Sequence, residues 1–310
     1  MTSLVTFGDA SLRLTPTDGE RFESTTDLRL GVSGTASNVA VAASQFGVDT
    51  LWLSRLPDSA LGRRVVGSLH EHGVETDVAW TDEGRQGLLF TEQGIEPRAD
   101  RRIGDQSGAA VAATEPGEIP MDRVQRADTV LLAGSTFALS EQAAATCGAV
   151  ARAGLGGGTV ALELDYRADR WPSGPARESL RGTFDAVDVL LGDEESVGAV
   201  FDRSGEPREL AHAVASTNDF ETVVLRREDG GALAWHDSVI HEQSGVDGEV
   251  VDPAGGRGAF TGAVLAGLLA DTGIGRALAR GVAAAALVRT VPGATASFTP
   301  GEIAELAGDE

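Results

Sequence analysis

Four stretches of the chain hold residues whose types and spacing can do chemistry. The first is Val250 to Leu269, VVDPAGGRGAFTGAVLAGLL. A β-branched pair leads into Asp252 and Pro253, then come Gly255 and Gly256, and then Arg257, Gly258 and an apolar run without a breaker. That order predicts a strand or loop feeding a glycine turn that opens a buried helix. Glycines at such a junction let backbone N–H groups approach an anion, and the helix N-terminus adds partial positive charge. The second is Glu163–Trp171, ELDYRADRW, where Arg167 at a strand end can clamp a carboxylate through two parallel hydrogen bonds or form a surface ion pair. The third is the acidic run Asp193, Glu194, Glu195 at a predicted helix start, a place the helix dipole favours for negative charge. The fourth is Ser33–Ala40, SGTASNVA, with Gly34 ahead of a helix and Asn38 in its first turn.

The elements that must position these residues follow from apolar periodicity. Strands are predicted at Ser3–Phe7, around Leu12–Leu14 and Leu28–Val32, and at Thr50–Leu56, Val74–Trp80 and Gly87–Glu92; Gly94 to Gly108 reads as loop and edge. Gly34 opens a helix that Gly47 closes, and Ser59 N-caps another that ends before Gly73. From Asp128 the alternation is regular. Strands Thr129–Ala133, Thr159–Leu164, Val187–Leu191 and Thr222–Arg226 interleave with helices Ser140–Ala153, Pro175–Arg181, Asp193–Phe201 and Glu206–Ser216. A hairpin turning at Asp237 and helices Phe260–Ala270, Ile274–Val291 and Pro300–Leu306 complete the chain. Such alternation implies an α/β fold: a doubly wound, mostly parallel sheet with helices on both faces. The strand-rich early third reads as a small β lid within about 10–33 and 80–107, and residues 1–310 as one domain.

Composition narrows the function. The 310 residues carry 25 basic and 47 acidic side chains, a net charge of −22, and every basic residue is arginine. Dispersed acidic charge of this kind suits a halophilic protein, kept soluble where salt screens self-repulsion. No basic stripe is present to neutralise phosphates, so nucleic-acid binding is disfavoured. No apolar run is long enough to span a bilayer, and MTSLVTFGDA lacks a basic region and a cleavage site, so a cytoplasmic protein with no membrane partner is expected. The single cysteine, Cys147, sits among alanines as a small core residue, and the five histidines form no metal pattern.

Asp252–Phe260, DPAGGRGAF, resembles the C-terminal signature D-T-T-G-A-G-D-A-F of the ribokinase-like (PfkB-type) carbohydrate kinases. The resemblance extends over nearly the whole chain and comes nearer to one branch, the 2-keto-3-deoxygluconate kinases. It implies a ribokinase-like fold. Gly255, Gly256 and Arg257 would line the anion hole for the transferring phosphate, and Gly258 stands where the family has the aspartate that deprotonates the attacking hydroxyl. Arg257 would either supply charge to the phosphoryl group or plug the hole. Ser33–Ala40 is similar to G-G-x-x-x-N-V-A, which implies sugar contacts for Gly34 and Asn38. Leu53–Gly62, Gly73–Thr76 and Gly84–Arg98 resemble successive segments of the branch, the last including its E-x-G-x-x-P-R end.

Several residues of this chain differ from the branch. Leu89 stands where it has a sugar-binding tyrosine, and Gly104, Asp105 and Gln106 stand where it has Tyr-Asp-Arg. Glu163–Trp171 resembles D-x-N-Y-R-x-x-L-W, implying a substrate role for Arg167. An N-x-x-E metal and phosphate motif falls on Gly192–Glu195, where only Glu195 survives, with Asp193 or Glu194 able to offer magnesium oxygen ligands. Leu225–Ala232 is similar to L-K-x-G-x-x-G-A, implying nucleotide contacts for Arg226 and Gly231, with Glu228 in place of the first glycine. The cofactors implied are ATP and Mg2+. The partners implied are a small-molecule sugar or sugar acid and further copies of the chain, as a homodimer or higher oligomer formed through the lid. Two readings follow: ATP-dependent phosphoryl transfer to a 2-keto-3-deoxygluconate-like substrate, or a catalytically impaired paralogue that binds a sugar acid or nucleotide. No G-x-G-x-x-G follows the first strand, which disfavours a dinucleotide-binding protein.

Overall fold

The computed structural model describes residues 3–17 and 19–309. Thirteen strands among them form two sheets. The large sheet contains β1 (Ser3–Phe7), β4 (Asp49–Pro57), β5 (Glu75–Thr81), β8 (Thr129–Ala133), β9 (Thr159–Glu163), β10 (Val189–Asp193), β11 (Thr222–Arg226), β12 (Ala232–His236) and β13 (Val239–Gln243). Their spatial order is β13-β12-β11-β10-β9-β8-β1-β4-β5. All neighbours are parallel except the β11–β12–β13 meander, where Asp237 and Ser238 both take positive φ at the hairpin tip, as a tight right-twisted turn requires.

Burial on both faces explains the near-continuous apolar strands. Along β8, Val130 and Leu132 join one core cluster and Leu131 the other; along β10, Leu190 takes the first side and Val189 and Leu191 the second. This period-2 division packs helices Glu141–Gly154, Ser173–Arg181, Glu194–Phe201 and Pro207–Asn218 on one face. Helices Thr35–Gln45, Gly256–Leu269 and Ile274–Val288 cover the other. The order of strand addition reverses at β1, whose parallel neighbours are β4 on one side and β8 on the other, so a crevice opens at the carboxyl ends of these central strands.

The second sheet has the order β3-β2-β6-β7, with β2 (Ser11–Pro16), β3 (Leu28–Ser33), β6 (Leu88–Glu92) and β7 (Arg101–Asp105). Its register pairs Leu30 with Leu14, Leu14 with Phe90 and Phe90 with Ile103, which puts these four on one face. Arg13, Leu89 and Gly104 are paired on the opposite face. Residues 80 and 81 end β5 and so belong to the large sheet.

The helix expected at Phe260–Ala270 begins four residues earlier, at Gly256, and Val250 and Val251 lie in an irregular segment. Glycines are poor helix formers. Here they are required by contact. A Cβ on Gly258 would lie 2.5 Å from the Asn38 Cβ, and one on Gly262 2.6 Å from the Ala42 Cβ. Gly258 and Gly262, one turn apart, let this helix press against helix Thr35–Gln45.

Candidate active site

Several of the sequence-derived residues meet in one cavity of about 190 Å³ between the crevice and the lid. Gly34, Asn38, Leu89, Gln106, Arg167, Gly255, Arg257 and Gly258 all line it. Gly34 caps helix Thr35–Gln45 with extended backbone and lies so near the Asp9 carbonyl that a Cβ would sit 2.1 Å from it. Gly255 adopts φ +85 as the N-cap of helix Gly256–Leu269, where a Cβ would meet the Ala294 carbonyl at 2.4 Å. No side chain caps that helix, and Gly255, Arg257 and Gly258 at its start line the cavity.

The glycine turn is tied to the lid. Arg13 of β2 donates from both Nη atoms to Asp252 at 2.8 and 2.9 Å, and Asp252 also accepts from the Ala254 and Gly293 amides at 3.0 Å each. Asp252 is therefore committed to holding the loop. Gln106 donates to Asp9 at 2.8 Å and to Ser11 at 3.0 Å, while its Oε1 is buried without a partner among the described residues.

Among the lining residues that escaped the sequence reading are the charged Asp9, Arg102 and Arg170. Asp9 follows β1 by two residues, and its position after the first strand was the available signal. Arg170 is three residues beyond Arg167, and Arg102 lies on the lid edge strand. Burial first, and the neighbouring Asp165 next, push the Asp9 carboxyl above its ordinary value.

Arg257 turns toward acids. It ion-pairs with Asp165, reaches Asp193 at 3.4 Å and has Glu163 at 3.7 Å. Asp165 sits in left-handed backbone, φ +37, and accepts from the Thr35 hydroxyl at 2.6 Å. Burial alone would raise its carboxyl, but Arg257, then Arg167 and Thr35, hold it down at about 2. A base that weak accepts few protons from an alcohol near neutral pH. Asp165 is thus the carboxylate beside Arg257 but is poorly matched to the role missing at Gly258.

Other predicted residues lie outside the cavity. Arg226, read as a nucleotide contact, closes on the fully buried Glu163 at 2.6 and 2.7 Å, and Thr261 donates to the same carboxylate at 2.8 Å. Glu228 is exposed on the β11–β12 turn, and Gly231 is buried beside the Gln243 carbonyl. Glu195 is exposed at the start of helix Glu194–Phe201, whose N-cap is Asp193. Among the described residues no group of three or more His, Cys, Asp or Glu is arranged to hold a metal ion. Asp193 is already bound to the Ser196 amide and Arg257, so the residues present do not fit a nucleotide-bound Mg2+, and no step is assigned to one.

A doubly wound sheet with a β lid over a polar, sugar-sized cavity defines a class of small-molecule kinase. The family model for the pfkB family carbohydrate kinases matches residues 1–300, and the chain belongs to that family. It is 43% identical over 301 residues to a 2-dehydro-3-deoxygalactonokinase of Haloferax volcanii, covering 97% of this chain and 95% of that one. It superposes on the crystal structure of the 2-dehydro-3-deoxygluconokinase of Thermotoga maritima with TM-score 0.94 and 26% identity, over 99% and 98% of the two chains. A ribokinase-like protein of Escherichia coli, described as a putative ribokinase II in complex with ATP and Mg2+, shares the fold at TM-score 0.90 and 18% identity over the full length of both. The fold is ribokinase-like, and the chain is related to the 2-keto-3-deoxy sugar kinases. No helix among the described residues is long and apolar enough to cross a membrane.

The Asp165–Arg257 pair has a testable pH signature. Because the folded carboxyl is held at about 2 against an ordinary 3.8, its stabilisation is complete above pH 4 and is lost as pH falls toward 2. Asp165→Asn should lower unfolding stability near neutral pH by about 3 kcal/mol, since Arg257 keeps only its weaker partners. It should also flatten the acid limb of stability against pH below 4. Denaturant titrations at several pH values would show both effects; an unchanged acid limb would contradict the assignment.

Proposed function

We propose that this chain binds a 2-keto-3-deoxy sugar acid under its lid but transfers phosphate to it poorly or not at all. One observation carries the reading. The position that should hold the proton-accepting aspartate is Gly258, and the space its side chain would occupy is taken by Asn38. Loss of a positioned base costs roughly 10²–10⁴ in rate. The neighbouring anion site is also altered, because Arg257 occupies it and is neutralised by Asp165 and Asp193. Against that, the sugar side keeps Gly34, Asn38 and Arg167, with the carboxyl of Asp9 beside them, although Leu89 and Gln106 replace residues the branch uses there. ATP is the donor this reading tests, with the uncapped helix N-terminus at Gly256 as the part of the site that suits its phosphates.

Two further features belong to the same reading. The outer face of the lid presents an apolar row, with Leu30 40% and Ile103 57% exposed, and a second copy of the lid is its proposed occupant, giving a homodimer. The dispersed acidic charge supports assays in molar KCl, in keeping with a halophilic, cytoplasmic protein.

With ATP, Mg2+ and 2-keto-3-deoxygluconate in molar KCl, turnover should fall at least ~10²-fold below that of a family member with an intact G-A-G-D motif assayed alongside. Gly258→Asp alone should not restore it. The added side chain collides with Asn38, so the variant should unfold more easily by about 1–3 kcal/mol. Robust wild-type turnover would overturn the impairment. Light scattering should give a dimer that Ile103→Asp converts to monomer; a monomeric wild type would remove the lid interface.

A further inference from the structure

We propose that Arg102 and Arg170 form an anion subsite at the mouth of the cavity, so that the ligand is a sugar acid carrying a second anionic group. The proposal rests on the sugar-acid reading above and names the ligand class more narrowly. Arg102, Arg167 and Arg170 line one cavity in a protein whose net charge is −22. Among the described residues neither the Arg102 nor the Arg170 guanidinium has an ion pair or hydrogen bond within the protein, although both face Asp9. Arg167 reaches only Asp165, at 3.9 Å, and Arg257 already holds that carboxylate. The other acid nearby, Asp9, takes the Gln106 amide.

Three guanidiniums facing only Asp9 and Asp165, the second already held by Arg257, leave an excess of positive charge that favours an anion. The strain shows at Arg102. Its side chain reaches solvent at the rim, but the concavity around it, and then Arg167, lower its guanidinium to about 10.

The local backbone favours the arrangement. Register places Arg102 opposite Thr91 and Gly104 opposite Leu89, two residues apart on one strand and therefore on the cavity-facing side of the lid. A Cβ on Gly104 would sit 3.3 Å from Nη2 of Arg170, so the bare glycine makes room for that guanidinium. In the D-x-N-Y-R-x-x-L-W run that Glu163–Trp171 resembles, the residue at Arg170 is leucine, so the charge is an addition of this chain. One carboxylate satisfies Arg167 through its planar fork, leaving Arg102 and Arg170 to receive a second group. The adjoining cavity of about 280 Å³, bordered by Arg102 and Arg167 but also by Glu92, Asp100 and Asp252, lacks Arg170, so the second group is placed in the cavity that Arg102 and Arg170 share.

Calorimetric titration of the full chain should use four probes: 2-keto-3-deoxygluconate, 6-phosphogluconate, glucarate and inorganic phosphate. The sugar acid with a second anionic group, as phosphate monoester or carboxylate, should bind about tenfold or more tightly than the singly charged one. Whichever of 6-phosphogluconate and glucarate binds better identifies the second group. Arg102→Gln and Arg170→Gln should erase most of that preference, read as the ratio of the two affinities in each variant, and thermal unfolding would confirm that both variants remain folded. Equal binding of singly and doubly charged acids would overturn the subsite and leave the sugar-acid reading standing. No binding of any sugar acid would remove both. Inorganic phosphate binding as tightly as 6-phosphogluconate would reduce the site to an isolated anion trap and overturn the proposal.

Discussion

The structure depends on a close contact between two helices. Helix Thr35–Gln45 and helix Gly256–Leu269 approach through Gly258 and Gly262, where even one added carbon would meet its neighbour at 2.5–2.6 Å. Close packing of this kind has little tolerance for volume, so what stands at Gly258 is set by Asn38 as much as by chemistry. The contact also places the parts of the site. It fixes the glycine turn over the crevice, sets the Asn38 side chain against the cavity wall and brings Arg257 within reach of the strand-end acids of β9 and β10. Beside the glycine turn stands Arg257, paired to Asp165 and Asp193, and against Gly258 stands Asn38.

Charge is divided unevenly around this contact. Toward the large sheet, Glu163, Asp165 and Asp193 are matched against Arg226 and Arg257 in a largely buried network that leaves the buried Arg257 Nε without a hydrogen bond. Such a network adds little net stability over an apolar core of equal volume, though removing one member leaves an uncompensated charge. Around the cavity the Arg102 and Arg170 guanidiniums lack hydrogen-bonded partners among the described residues, so Arg102, Arg167 and Arg170 face Asp9 while Asp165 is matched to Arg257. Arg13 and Asp252 tie the lid strand to the glycine turn, so both ends of the cavity are held by one buried ion pair.

Much of the scaffold was legible because apolar runs bounded by turn residues leave little choice. Ser3–Phe7, Thr129–Ala133 and Thr222–Arg226 are strands with the limits their sequences suggest. Ser59 and Gly47 act as the helix cap and stop that their chemistry predicts. The start of the helix at Gly256 was hidden, because propensity treats successive glycines as breakers and only the partner helix shows why they are helical. Arg102 and Arg170 were hidden for a related reason. Nothing local links them, and they meet only once the lid register sets Gly104 beside Arg170. Arg226 misled through its neighbours in sequence, since its partner Glu163 is 63 residues away. Local pattern identified which residues could act, and tertiary contact decided which of them are occupied with each other.

The central claim is that the chemical step fails although the sugar-acid pocket remains. The most direct measurement is a single-turnover experiment with enzyme in excess over γ-labelled ATP, saturating 2-keto-3-deoxygluconate and molar KCl, because it isolates phosphoryl transfer from product release. The account predicts that label stays on ATP over many minutes while calorimetry on the same preparation detects bound sugar acid. Transfer of the label to the sugar acid within seconds would contradict it.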